Sequence, residues 1–143
     1  MEFLSGQTLV RKSKEEVSAD EALKDAQIVL LYFSAHWCPP CRMFTPILAD
    51  FYEEAMNEGL PLEVIFVSSD RSADALFDYM KEAHGDWFAI PHGHAAVGQI
   101  QSKYSIRGIP TLIVMKKDGT LVTENGRKDV ESKGIQAAKE WLK

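Results

Sequence analysis

Residues 28–41 read IVLLYFSAHWCPPC, and this stretch decides the fold. Its first half, Ile28–Ser34, is a nearly continuous apolar run, the pattern of a central strand covered on both faces. Its second half ends in Cys38-Pro39-Pro40-Cys41, which holds the chain's only two cysteines. A Cys-x-x-Cys pair where a buried strand hands over to a helix is suited to a reversible disulfide. The first thiol falls at the helix N-terminus, where unpaired backbone N–H groups and the helix dipole favour a thiolate. That thiolate is the species that attacks disulfides.

Downstream, the apolar positions Phe44, Ile47, Leu48, Phe51, Tyr52 and Ala55 recur at helical spacing from Cys38 until Gly59 and Pro61 close the helix. Pro46 lies inside it and predicts a kink, because it frees the carbonyl of Arg42. Leu62–Ser69 reads as a second buried strand, Asp74–Ala83 as a helix, and His94–Tyr104 as a shorter, weaker one. Thr111–Met115 and Leu121–Glu124 read as strands joined by Lys116-Lys117-Asp118-Gly119, a hairpin built on Asp-Gly. A last helix is expected from about Glu131 to Leu142.

Upstream, Thr8–Val10 reads as a short edge strand and Ser18 as the N-cap of a helix through Ala26. Arg11-Lys12-Ser13-Lys14, followed by Glu15-Glu16, reads as a solvated connector. This succession predicts an α/β fold, a central mixed β-sheet with a parallel centre and helices on both faces. At 143 residues one domain is expected. Residues 1–27 would form an N-terminal extension carrying the edge strand and helix, and residues 28–143 the core.

Composition narrows the function. The chain is 45% hydrophobic and 26% charged with a formal net charge of -5, which argues against nucleic acid or anionic membrane as main partner. No window approaches the ~20 apolar residues of a membrane span. Met1–Val10 lacks the basic flank and apolar stretch of a secretory leader. With no cysteine beyond the 38–41 pair, nothing demands an oxidising compartment, so a cytoplasmic location is expected, with the nucleus as an alternative.

Within the pair, Cys38 is the candidate nucleophile, more exposed and nearer the positive helix end. Cys41, one turn in, is the candidate resolving thiol. Pro39 suits the first helical position, where its missing N–H had no helical partner. Pro40 removes a second donor from the loop. Trp37 offers a flat apolar surface for shielding the sulfur or docking a substrate, with plain core packing as the competing reading. His36 and Arg42 flank the site as possible sources of positive potential or as simple surface residues.

Blander readings of the pair are weaker. Zinc would need two more ligands, and His92 and His94 lack the usual three-to-five-residue gap, so no metal is expected. A permanent bridge closing so short a loop would restrain little of the unfolded chain. A second patch, Gly108-Ile109-Pro110-Thr111, places an Ile-Pro bond before a buried strand. A cis peptide there would leave the preceding backbone free to pair with an extended substrate.

Together these residues resemble the thioredoxin superfamily: Trp37-Cys38-Pro39-Pro40-Cys41, then Pro46, then Gly108-Ile109-Pro110-Thr111, in that order. The stretch Tyr32–Arg42 is similar to the YFSASWCPPCR of the tryparedoxin and nucleoredoxin branch. Phe44-Thr45-Pro46, Phe51-Tyr52, Asp70 and Trp87-Phe88-Ala89-Ile90-Pro91 continue the likeness. It implies a five-stranded thioredoxin-like fold with added N-terminal structure, and reduction of protein disulfides through a mixed disulfide. Trp37, Pro39, Pro40, Ile109 and Pro110 would then line the substrate groove, with Arg127 a further candidate by analogy to an arginine that holds the dithiol cofactor of tryparedoxins. Where many thioredoxins bury an acid and a lysine, this chain has Tyr32 and Phe66. A proton leaving Cys41 would have to reach water, substrate or the Tyr32 hydroxyl.

The expected activity is therefore thiol–disulfide exchange on disulfide-containing proteins, a peroxiredoxin among the candidate partners. No Gly-x-Gly-x-x-Gly fingerprint is present, so no cofactor is expected to be bound and an external thiol donor or reductase must reset the pair. The alternative from another class is a redox-gated signalling or binding module. His84, His92 and His94 read as surface histidines without an assigned role.

Overall fold

The computed structural model describes residues 4–143. Seven strands form one mixed sheet: β1 (Thr8–Arg11), β2 (Glu16–Ser18), β3 (Ile28–Ser34), β4 (Leu62–Ser68), β5 (Phe88–Ala89), β6 (Thr111–Lys116) and β7 (Leu121–Thr123), in the order β2-β1-β5-β4-β3-β6-β7. The helices are α1 (Ala19–Ala22), α2 (Pro39–Asn57), α3 (Ala73–Ala83), α4 (Ala95–Lys103), α5 (Gly126–Lys133) and α6 (Ile135–Trp141).

β3 sits at the centre, parallel to β4 and antiparallel to β6. All seven of its residues are buried, as its unbroken apolar run requires. Its side chains alternate between two cores. Ile28, Leu30 and Tyr32 pack with residues of α2, α3, α5 and α6, while Val29, Leu31 and Phe33 pack with residues of α1 and α4. Each large apolar side chain so enclosed contributes about 1.5–3 kcal/mol of transfer free energy. The register pairs Tyr32 with both Phe66 and Leu112, so the position of a thioredoxin-type buried acid faces hydrocarbon on both neighbouring strands.

Three expectations need correction. Thr8–Val10 is no edge strand: β1 lies between β2 and β5, and Leu9 is fully enclosed. The edge falls to β2, which the charged appearance of residues 11–16 concealed; residues 12–15 connect the two strands of a hairpin, and Arg11, at the end of β1, caps the Phe88 ring at 4.5 Å. The helix begun by Ser18 ends at Ala22 rather than Ala26, although Ser18 does cap it, its hydroxyl accepting from the Glu21 N–H at 3.2 Å. The terminal helix starts at Gly126 and breaks at Gly134, whose φ of 55° interrupts the run and separates α5 from α6. Asn125 makes no side-chain cap, which left the α5 start without a sequence signal. β5, two residues long, was also not anticipated as a strand.

The hairpin β1–β2 extends the sheet by pairing β1 antiparallel to β5. The other five strands, β5-β4-β3-β6-β7, form the expected five-stranded core. Among the described residues no helix is long and apolar enough to cross a membrane.

Candidate active site

β3 ends at Ser34, and Ala35, His36 and Trp37 carry the chain from the C-terminal end of this central strand to Cys38, the N-cap of α2. Cys38 and Cys41 are joined as a disulfide with their Cα atoms 5.2 Å apart. Pro39 and Pro40 open the helix without donors, so the Cys41 N–H is the first free amide, and it points at Cys38 Sγ at 3.3 Å. This is the arrangement that favours negative charge on Cys38 when the bond is open. Cys38 is 5% exposed and Cys41 0%, the order expected from the sequence.

On the other side of the sulfur the Ile109–Pro110 bond is cis, and the Ile109 carbonyl oxygen lies 3.8 Å from Cys38 Sγ. Ile109 also packs against the small cluster formed by Ala35, Cys38 and Cys41. Trp37 is not core: its ring is half exposed, and its indole N–H donates to the Ser69 carbonyl at 3.1 Å.

Asp70 holds the loop before the pair. Its Oδ1 accepts from the His36 N–H at 2.8 Å and its Oδ2 from the Ser68 hydroxyl at 2.7 Å. The sequence marked Asp70 only through the resemblance; its clamp on His36 is a long-range contact that no local pattern announces. The His36 ring stacks on Tyr79, with centroids 5.1 Å apart, and its Nε2 meets Glu82 at 2.8 Å. Arg42 donates to the His36 carbonyl at 2.6 Å. Both flanking residues thus brace the loop.

Behind Cys41 lies a buried hydroxyl cluster. Thr45 Oγ1 donates to the Cys41 carbonyl at 2.8 Å and is bonded to the hydroxyls of Tyr32, at 2.6 Å, and Tyr79. Tyr79 in turn meets Ser34 Oγ at 2.7 Å. Burial, and secondarily the neighbouring Tyr79, raises the Tyr32 phenol pKa well above its ordinary value, so Tyr32 is held protonated. Thr45, four residues after Cys41 on one helix face, was detectable from spacing; Tyr79 was not.

The remaining candidates lie in other settings. Arg127, on α5, has its guanidinium 5.9 Å from the Phe44 ring centre and its Nε 3.7 Å from Glu131, beyond hydrogen-bond range. His94 caps α4, its Nδ1 accepting from the Ala96 N–H at 3.0 Å, and His92 Nε2 lies 3.2 Å from the Asp70 carbonyl. His84 is not a surface residue. It is buried among Tyr32, Phe66, Tyr79 and Trp87, and its Nδ1 accepts from the Trp87 indole at 3.0 Å. Among the described residues no group of three His, Cys, Asp or Glu could hold a metal ion.

A strand-to-helix Cys-x-x-Cys facing a cis-proline loop, on a mixed sheet covered on both faces, defines a thioredoxin-like domain. A family model described as thioredoxin-like matches residues 25–121, and the chain belongs to that family. It is 36% identical over 130 residues to nucleoredoxin of Danio rerio, covering 90% of this chain and 30% of the relative. Tryparedoxin of Trypanosoma brucei brucei is 35% identical over 127 residues, covering 87% of this chain and 85% of its own. Among solved structures, thioredoxin related protein 16 of Carcinoscorpius rotundicauda superposes with a TM-score of 0.87 at 55% identity, covering 100% of both chains. The chain spans about a third or less of the nucleoredoxins it matches.

Proposed function

We propose that this chain reduces disulfides of protein substrates through a Cys38/Cys41 cycle, acting as one domain in the cytoplasm. The Cys38 thiolate attacks a substrate disulfide, forming the Cys38–substrate bond and releasing one substrate thiol. Cys41, as thiolate, then attacks Cys38 Sγ, forming the 38–41 disulfide and releasing the second thiol. Two electrons and two protons pass to the substrate, and an external thiol donor or reductase returns them. The carrying observation is Cys38 Sγ at the N-cap of α2, with the Cys41 N–H aimed at it from 3.3 Å.

Docking falls to Trp37, Pro39, Pro40, Ile109 and Pro110, of which Ile109 has its carbonyl oxygen 3.8 Å from Cys38 Sγ. Half-exposed Trp37, with Met43 and Ile47 exposed along α2, supplies apolar contact suited to a protein partner, a peroxiredoxin included. Arg127 is carried as a substrate contact only by analogy. Insulin-disulfide reduction tests the cycle: Cys38→Ser abolishes turnover, and Cys41→Ser accumulates covalent adducts. Turnover surviving in the Cys38 variant overturns the assignment.

A second reading, a redox-gated signalling module, draws on the Carcinoscorpius protein, described by its role in regulating transcription factor NF-kB activity. It requires partner affinity to change with the state of the pair. Capture of a partner unaffected by reduction or by Cys38→Ser counts against it.

A further inference from the structure

We infer that Thr45 is a positioning residue for Cys41, fixed by a one-way chain of buried hydroxyls that acts on the second step of the cycle. The inference rests on the proposed role of Cys41 as the resolving thiol.

The direction of the chain follows from counting hydrogens. A threonine hydroxyl has one hydrogen and two lone pairs. The Cys41 carbonyl can only accept, so the Thr45 hydrogen belongs to that bond. Tyr32 and Tyr79, both bonded to the same Thr45 oxygen, must therefore donate to it. The single hydrogen of Tyr79 is then committed to Thr45, so Ser34 donates to Tyr79. Every bond runs toward the Cys41 carbonyl: Ser34 to Tyr79 to Thr45 to Cys41, with Tyr32 joining at Thr45. Ser34, Tyr32, Thr45 and Tyr79 are all fully enclosed, so water does not compete for these bonds.

The consequence is mechanical. Thr45 ties the first turn of α2 to β3 through Tyr32 and to α3 through Tyr79. The outer face of Tyr79 is covered by His36, which is itself held by Glu82. Cys41 must reach Cys38 Sγ within a narrow range of distance and angle for in-line attack, and small misplacements slow such steps strongly. Cys38 attacks an incoming disulfide from the N-cap, outside this brace. The hydroxyl chain should thus matter for resolution and not for initial attack. The Tyr32 hydrogen is engaged as a donor, and no hydroxyl in the chain is offered to Cys41 as a base.

Reaction of the reduced 143-residue chain with 5,5′-dithiobis(2-nitrobenzoate) separates the steps, because attack by Cys38 releases one coloured thiolate and resolution by Cys41 releases the second. Thr45→Val is expected to slow the second phase about tenfold or more while leaving the first nearly unchanged, and Thr45→Ser to restore it. Tyr79→Phe, which removes the donor to Thr45 and leaves the Ser34 hydroxyl without its acceptor, is expected to slow the second phase by about threefold or more; it decides the matter if Thr45→Val does not fold. An unchanged second phase, equal slowing of both phases, or a Ser variant as slow as Val overturns the inference. A wild-type protein that releases only one thiolate per chain overturns instead the underlying two-cysteine cycle.

Discussion

Trp37 and Ser69 are linked by a hydrogen bond from the indole N–H to the carbonyl at 3.1 Å, which fixes the ring as a shelf beside Cys38 with 52% of its surface open. A large aromatic surface presented in a fixed pose loses little entropy when a partner covers it.

Removing that shelf should weaken binding more than chemistry. Trp37→Ala is expected to raise KM for insulin by about tenfold or more with a smaller effect on kcat. Its thermal stability should change little, since the ring leaves no core cavity. A fall confined to kcat would contradict the docking role.

His84 should make the fold sensitive to mild acid. Burial, then the nearby Lys12 and His36 charges, lower its pKa from 6.5 to about 3, so the folded state keeps it neutral. The unfolded chain binds its proton first, and the stabilisation is therefore complete above the unfolded value and lost as pH falls from 6.5 toward 3. One proton corresponds to a slope of roughly 1.4 kcal/mol per pH unit. His84→Gln preserves an acceptor for Trp87 without titrating. Urea denaturation between neutral pH and about pH 4 should give a shallower pH dependence in that variant, and equal slopes would refute the assignment.

Two glycines should respond oppositely to alanine. A Cβ on Gly126 would stand 2.8 Å from the Leu112 carbonyl oxygen, where α5 presses on β6, so Gly126→Ala should cost about 1–3 kcal/mol. Gly98, within α4, has nothing within 4 Å of that position. Gly98→Ala should therefore stabilise by about 0.5–1 kcal/mol. Denaturant midpoints test both signs.

Tyr32→Asp restores the acid of ordinary thioredoxins at a site facing Phe66 and Leu112. A carboxylate without a cation there should destabilise by about 3–5 kcal/mol. Adding Phe66→Lys should recover part of that loss. An undiminished melting temperature in the single variant would show that the site admits water.

The fold was legible where one signal served one element. The apolar run of β3 and the helical spacing after Cys38 set the centre of the sheet and the site. So did the pair itself and the Ile109–Pro110 bond. What escaped depends on distant partners. β5 is two residues whose strand character comes from β1 and β4, and α5 begins without a capping side chain. Asp70 and Tyr79 act on the site across 34 residues of chain each, from the loop after β4 and from α3. His84 looked like one more polar residue near a helix end, yet its surroundings are four aromatic rings contributed by separate segments.

The added hairpin should also keep copies of this chain apart. By covering β5 it hides a row of amides and carbonyls that would otherwise invite a neighbour to zip on. The new rim, three residues long and opening with Glu16, is too short to serve as a template. Cutting the chain after Ser18 should therefore promote self-association, even with both sulfur atoms untouched.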